Sequence, residues 1–176
     1  NAKNYYKSVF EHAGGSISFY PDKNGAAPTA ELYHRETRSI SVQNVKEFCK
    51  KHGITENVFF ISAFGITLGK YNFKKDAVFT TIYHGRNDSR LENTVCMLVK
   101  TLPVYCSCDP KVTIQAYMTE LSEQILSSMA NDIFPFSDIC AKYGINSDLV
   151  FAYQAELGDD FPIGDTVARG HDLSPD

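Results

Sequence analysis

The chain is 176 residues long, 43% hydrophobic and 22% charged, the composition of a globular domain with a real core and not of a disordered tail. Seventeen basic residues against twenty-one acidic ones give a formal charge of −4, with no basic run to neutralise a series of phosphates, so no nucleic acid partner is expected. The five irregularly spaced cysteines point to a reducing, cytoplasmic setting, and the longest near-continuous apolar stretch, Val58 to Phe64, is far short of the ~20 residues needed to cross a bilayer, so no membrane partner is expected.

Tyr5 to Phe10 is expected to form a short helix packed by its aromatic residues, and Gly14-Gly15 and Pro21 to Pro28 then read as loop. The alternation in Thr37-Arg38-Ser39-Ile40-Ser41-Val42 predicts a strand that runs into a helix with Ser41 as its N-cap. In that helix Val42, Val45, Phe48, Cys49 and His52 share one face, Lys46, Lys50 and Lys51 stay in water, and Gly53 supplies a left-handed stop. A second helix, from Thr55 to about Tyr71, is apolar almost all round and should be buried on more than one side. Its Gly65 and Gly69, four apart, allow another backbone to approach, although each costs up to ~1 kcal/mol of helix propensity relative to Ala.

Ala77 to Tyr83 and Met97 to Cys106 are rich in β-branched and aromatic residues and read as strands, with Pro103 consigning part of the second to an edge or a strand end. Helical spacing of Ile114, Tyr117, Met118, Leu121, Ile125 and Met129 predicts a helix over Thr113 to Met129. A shorter helix should cover Ser137 to Tyr143 and end at Gly144, and Leu149 to Tyr153 reads as a further strand. Beyond Glu156 the chain is rich in Gly, Asp and Pro and shows no closing element. This order predicts an α/β fold, a two-layer sandwich of a mixed sheet with helices on one face.

Chemical motifs are sparse. His84 and Asp88 form an H-x-x-x-D spacing used by acyltransferases that employ a histidine base, but His84 leaves a strand into a polar loop, where the simpler reading is a solvated turn. Cys106 and Cys108 share a strand face without the further ligands of a metal site. No G-x-S-x-G elbow, Walker loop, dinucleotide fingerprint or H-E-x-x-H occurs.

Several segments do fall into a known order. The helix V-F-F-I-S-A-F-G-I-T-L-G-K-Y from Val58 precedes the strand D-A-V-F-T-T from Asp76, which ends in His84-Gly85-Arg86. Leu91 to Pro103 is similar to "E-N-x-V-G-x-F-V-N-T-L-P", with Cys96 in place of the glycine and Lys100 in place of the asparagine. Asn131 to Ser137 matches "H-Q-D-x-P-F-E" at its aromatic-Pro-Phe centre, and Asn146 to Phe151 bears a faint likeness to "R-D-x-S-x-N-P-L-F". Over roughly Tyr5 to Tyr153 the chain resembles the C-terminal subdomain of nonribosomal peptide synthetase condensation domains.

The resemblance implies a chloramphenicol-acetyltransferase-like half domain, residues 1–176, truncated before its C-terminal end. The complete domain forms an amide between acyl and aminoacyl thioesters on peptidyl carrier proteins, whose phosphopantetheine arms meet in a tunnel between two halves. No cofactor is expected to bind this chain directly, and its partners are expected to be the carrier proteins and the N-terminal subdomain. That other half carries the H-H-x-x-x-D-G motif with the family's catalytic histidine, so no catalytic residue is assigned here and the chain alone is expected to be inactive.

Carried over by position, Arg86, Lys100, Thr101, Pro135 and Phe136 are the substrate-binding candidates on the tunnel wall. Four of them also have a structural reading: Arg86 as a hydrogen-bond donor, Thr101 as a strand residue, Pro135-Phe136 as a turn anchored by a ring. Lys100 departs from the family pattern and would change the polarity near the tunnel. Alternative functions are a non-catalytic condensation-like module that docks carrier proteins, and a stand-alone CoA-dependent acyltransferase using His84. Epimerising and heterocyclising relatives share the architecture.

Overall fold

The structure, a computed structural model, describes residues 2–11, 13, 35–86, 88–91, 93–107, 109–145, 148–154 and 161–168. At its centre is β1 (Asp76–Tyr83), paired antiparallel along its whole length with β2 (Lys100–Ser107) and parallel with β3 (Val150–Phe151) at Thr80 and Thr81. Thr80 and Thr81 add side-chain bonds to this second edge, their hydroxyls donating to the carbonyls of Leu149 (3.0 Å) and Phe151 (2.9 Å).

Because successive side chains of a strand point to opposite faces, the run Ala77-Val78-Phe79 feeds two cores. Ala77 and Phe79, with Val104 and Cys106 of β2, meet α3 (Glu56–Tyr71) and α4 (Ile114–Ala130) through Val58, Ile61, Leu68, Tyr117, Leu121 and Ile125. Helix α2 (Val42–His52) joins this layer through Phe48, whose ring lies edge-on 5.6 Å from Phe59. Val78 points the other way, toward Tyr6 and Phe10 of α1 (Ala2–Phe10), Ile139 of α5 (Phe136–Tyr143) and Ile145.

The α/β fold with a mixed sheet is therefore as expected, but helices lie against both faces of the sheet and not one. The cause is visible in β1, which is buried at every position from Ala77 to Thr81, as a strand covered on both sides must be.

Local signals fix the helix ends. The hydroxyl oxygens of Thr55 and Thr113 accept the N–H groups of Val58 and Ala116, each at 3.2 Å, capping α3 and α4. Ser41 stands at the N-cap of α2 in extended conformation without a side-chain bond, and Gly53 and Gly144 end α2 and α5 at φ 65°. The strand expected over Thr37 to Val42 does not form: residues 35–41 are exposed and irregular, and no strand among the described residues lies beside them to supply a ladder. Strand β2 begins at Lys100 and not at Met97 because its partner ends at Tyr83. Past Glu156, where no element was expected, β4 (Phe161–Ile163) and β5 (Thr166–Ala168) form a hairpin about Gly164-Asp165, with Gly164 at φ 59°. The loop expected over Gly14 to Pro28 lies outside the described residues.

Among the described residues β2 is an edge strand, which explains how Pro103 sits inside it. Pro103 faces Thr80, whose N–H goes to Leu149 on the opposite side, so this is a pair whose backbone groups point away from each other. The missing N–H of Pro103 therefore falls on the outer edge and costs no bond between β1 and β2. Two residues on, the N–H and carbonyl of Tyr105 also point outward, and the Gln124 side chain of α4 bonds both at 2.9 Å.

Helix α3 approaches β2 at Gly65. A Cβ there would overlap the Cys106 sulfur and lie 2.9 Å from the Cys106 Cβ and 3.0 Å from the Tyr117 hydroxyl. Gly65→Ala should cost about 1–3 kcal/mol through overpacking. Urea denaturation checks this, and adding Cys106→Ala should recover part of the loss.

Candidate functional site

Four of the five candidates converge on one cleft. Lys100 and Thr101 open β2, while Pro135 and Phe136 lie where the chain leaves α4, turns and enters α5. Together with Leu102, Asp132, Ile133 and Phe134 they line a cleft of about 380 Å³.

The turn that carries one wall is built by capping. Asn131 closes α4, its amide nitrogen donating to the Ser127 carbonyl at 2.8 Å and its N–H shared between the Ser127 and Ser128 carbonyls. Pro135 then stands at the N-cap of α5, its carbonyl accepting the N–H groups of Asp138 and Ile139. Helix α1 supports this wall from below. The Tyr5 hydroxyl donates to the Gln124 carbonyl (2.8 Å) and meets the Ser128 hydroxyl (2.7 Å), and the Tyr6 ring lies 6.0 Å from that of Phe134. Burial pushes the Tyr6 phenol well above its ordinary range, with Tyr5 and Asp132 adding to the effect.

The two walls are joined by charge. Lys100 Nζ lies 3.0 Å from Asp132 Oδ2 and donates to the Asp132 carbonyl at 3.4 Å. These are the two charged residues of the lining. The pairing could not be read from the sequence, because 32 residues separate the partners and neither lies in a local charge pattern.

Arg86 does not line the cleft. Its guanidinium donates to three carbonyls, those of Leu91 (2.7 Å), Thr94 (2.8 Å) and Cys96 (3.0 Å), and so folds the segment that leads into Lys100. Gly85, at φ 71°, makes room beside it, since a Cβ there would overlap the Leu98 carbonyl oxygen. This is the structural role weighed for Arg86 from the sequence.

His84 and Asp88 are not brought together as a base and its partner. His84 is exposed and its Nδ1 accepts the Arg86 N–H of its own turn at 3.0 Å. Asp88 is held by Arg90, whose hydrogen bonds keep its carboxyl below the usual carboxylate range. Cys106 is buried in the core and Cys108 lies outside the described residues. Among the described residues no group of three potential ligands could hold a metal ion, and no helix is long and apolar enough to cross a membrane.

A second groove, of about 790 Å³, was not foreseen. It lies between α2, the start of α3 and the residues after β3, with Val42, Lys46, Glu56, Phe60 and Tyr153 in its lining. Tyr153 closes it at one point, donating to Glu56 Oε2 at 2.6 Å with its ring stacked 5.7 Å from Phe60. Nothing local in the sequence marks it, since Glu56 and Tyr153 are 97 residues apart.

Comparison with known proteins places these features in context. The sequence model of the family described as Condensation domain matches residues 1–165. Gramicidin S synthase 2 of Brevibacillus brevis is 26% identical over 129 residues, 69% of this chain and 3% of that protein. Nonribosomal peptide synthetase sidC of Arthroderma benhamiae is 26% identical over 173 residues, 90% of this chain and 3% of that protein. The chain thus spans only a few per cent of the curated relatives it matches. Among solved structures, a holo four-domain nonribosomal peptide synthetase bound to AMP and glycine superposes with TM-score 0.76 at 19% identity, covering 90% of this chain and 13% of the other. The first condensation domain of the CDA synthetase gives 0.68 at 16% identity, covering 94% and 37%. Likeness at these identities speaks to the fold, and it agrees with the α/β fold with a mixed sheet expected from the sequence.

Two outcomes follow from the geometry. With the Tyr6 pKa raised above the unfolded value of 10.0, the folded state holds that proton more tightly, so stability is full below pH 10 and falls as pH rises beyond it. Urea midpoints between neutral pH and pH 11 should show this fall, and Tyr6→Phe should flatten it. Arg86→Met should release three carbonyls and raise amide hydrogen exchange in residues 91–98, with little change in the core strands.

Proposed function

This chain belongs to the condensation-domain family, and from that premise we propose that it supplies one wall of the site where a nonribosomal peptide synthetase joins a carrier-bound acyl thioester to a carrier-bound amine. The single observation that carries the reading is the convergence of Lys100, Thr101, Pro135 and Phe136, from two segments distant in sequence, on one cleft. The cleft has the character such a wall needs: rings and a proline for apolar contact, with a hydroxyl and an ammonium as hydrogen-bond donors.

In the reaction the amine nitrogen attacks the thioester carbonyl, the C–N bond forms, the C–S bond breaks, and the sulfur leaves as the thiol of the donor carrier's phosphopantetheine arm after taking up the proton that the amine gives up. The amine's proton goes to a base outside this chain, the role the family gives to the second histidine of H-H-x-x-x-D-G. The contribution of these residues is positioning, and holding two reactants in near-attack geometry is worth up to ~7–11 kcal/mol in favourable intramolecular models. The partners on this reading are peptidyl carrier proteins, which bring their phosphopantetheine arms, and the N-terminal subdomain that faces the cleft. A non-catalytic docking module is the second reading, and Cys96 and Lys100, standing where the family pattern has glycine and asparagine, are the features that favour it.

The test is amide formation between two loaded carrier proteins by the full-length protein that carries this chain. Product from a protein with an intact H-H-x-x-x-D-G is expected, and none would leave the docking reading. In that assay Thr101→Val, which removes a hydroxyl at constant shape, should slow the reaction about three- to tenfold, the ~0.5–1.5 kcal/mol of one neutral hydrogen bond, with unchanged melting temperature.

A further inference from the structure

The charged residues of the cleft are Lys100 and Asp132, and they are paired with each other. An ammonium has three N–H donors. Two directions are taken by Asp132, through its carboxylate at 3.0 Å and its carbonyl at 3.4 Å, and the Lys100 side chain remains 41% exposed. One donor is left for the cleft. Thr101 also belongs to the lining, and Phe134, Pro135 and Phe136 form the apolar side. The cleft therefore presents donors while its net charge is zero.

We propose that the Lys100–Asp132 pair is a specificity determinant, which admits uncharged carbonyl-bearing acyl chains to the cleft and disfavours chains that end in an anion. The inference rests on the reading of the cleft as a wall of the acyl path. An unpaired lysine at this position would be a point charge that attracts carboxylates. Asp132 cancels that charge at short range, and its own carboxylate repels a second one. An incoming anion that takes the spare N–H meets an ammonium already neutralised by Asp132 and is repelled by that carboxylate, and displacing Asp132 only exchanges one carboxylate for another. A carbonyl oxygen needs only the spare N–H and leaves the pair intact. The bridge also spans the two walls, since one partner stands on β2 and the other on the turn after α4.

The experiment compares butanoyl and succinyl N-acetylcysteamine thioesters, which differ in a terminal methyl against a carboxylate, as ligands of the full-length protein by calorimetry or ligand-observed NMR. The unsubstituted protein should bind the butanoyl probe about tenfold more tightly, a difference of the size expected when a charge is turned away from a neutral site. Asp132→Asn should narrow or reverse that preference by strengthening succinyl binding. Lys100→Met should weaken the butanoyl probe several-fold without any gain for succinyl. Tighter succinyl binding by the unsubstituted protein, or an equal probe ratio in all three proteins, overturns the inference while leaving the cleft as a wall. If the unsubstituted protein binds neither probe, the reading of the cleft fails and the inference fails with it. Melting temperatures identify a variant that does not fold, and the other substitution then decides.

Discussion

Helix α3 can lie as close to β2 as it does because residue 65 has no side chain. Gly65, Cys106 and Tyr117 meet there, so three elements share one contact, and the Tyr117 hydroxyl reaches back to the Ser62 carbonyl at 3.4 Å. A glycine in the helix interior costs propensity, and the close approach it allows gives dense packing of the helix's apolar residues against the sheet. Once α3 is held at that distance, β2 is set against β1, and the start of β2 delivers Lys100 and Thr101. The cleft thus inherits its first wall from a contact in the core.

Its second wall has a different anchor. Tyr5 and Tyr6 of α1 grip the last turns of α4 from the opposite face of the sheet, and the turn from Asn131 to Pro135 is carried on that junction. Two walls held by two separate cores suit a site whose work is to hold reactants in register. They also explain why Arg86 is committed to backbone carbonyls. The segment between β1 and β2 is long, and without a fixed course it would not present Lys100 at one place.

What was legible in the sequence is what local chemistry decides. The 3.6-residue period of Tyr117, Met118, Leu121 and Ile125 foretold α4, threonines marked the starts of α3 and α4, Gly53 and Gly144 marked two helix ends, and Pro103 marked an edge strand. Four of the five candidate residues could be carried into one cleft because they lie in segments with a recognisable pattern. What was not legible depends on pairing at a distance. The second covered face needs Val78 to meet α1 and α5, the ion bridge needs two segments brought together, and the Thr37 to Val42 strand failed for want of a neighbour although its alternation was sound. The hairpin at Gly164-Asp165 is the exception: a two-residue Gly-Asp turn between short runs is a local signal, and it was hidden by the composition around it.

The amide of Gln124 occupies the position that one residue of a neighbouring strand would take beside Tyr105, offering one donor and one acceptor in the same register. A sheet whose rim is plugged in this way is a poor template: a second chain seeking to align there must first evict a side chain rooted in a packed helix, and just upstream Pro103 offers it no N–H to bind. The outer border of β2 is therefore closed to growth by recruitment of strands. Copies of the chain brought close together in solution would each keep a sheet of their own.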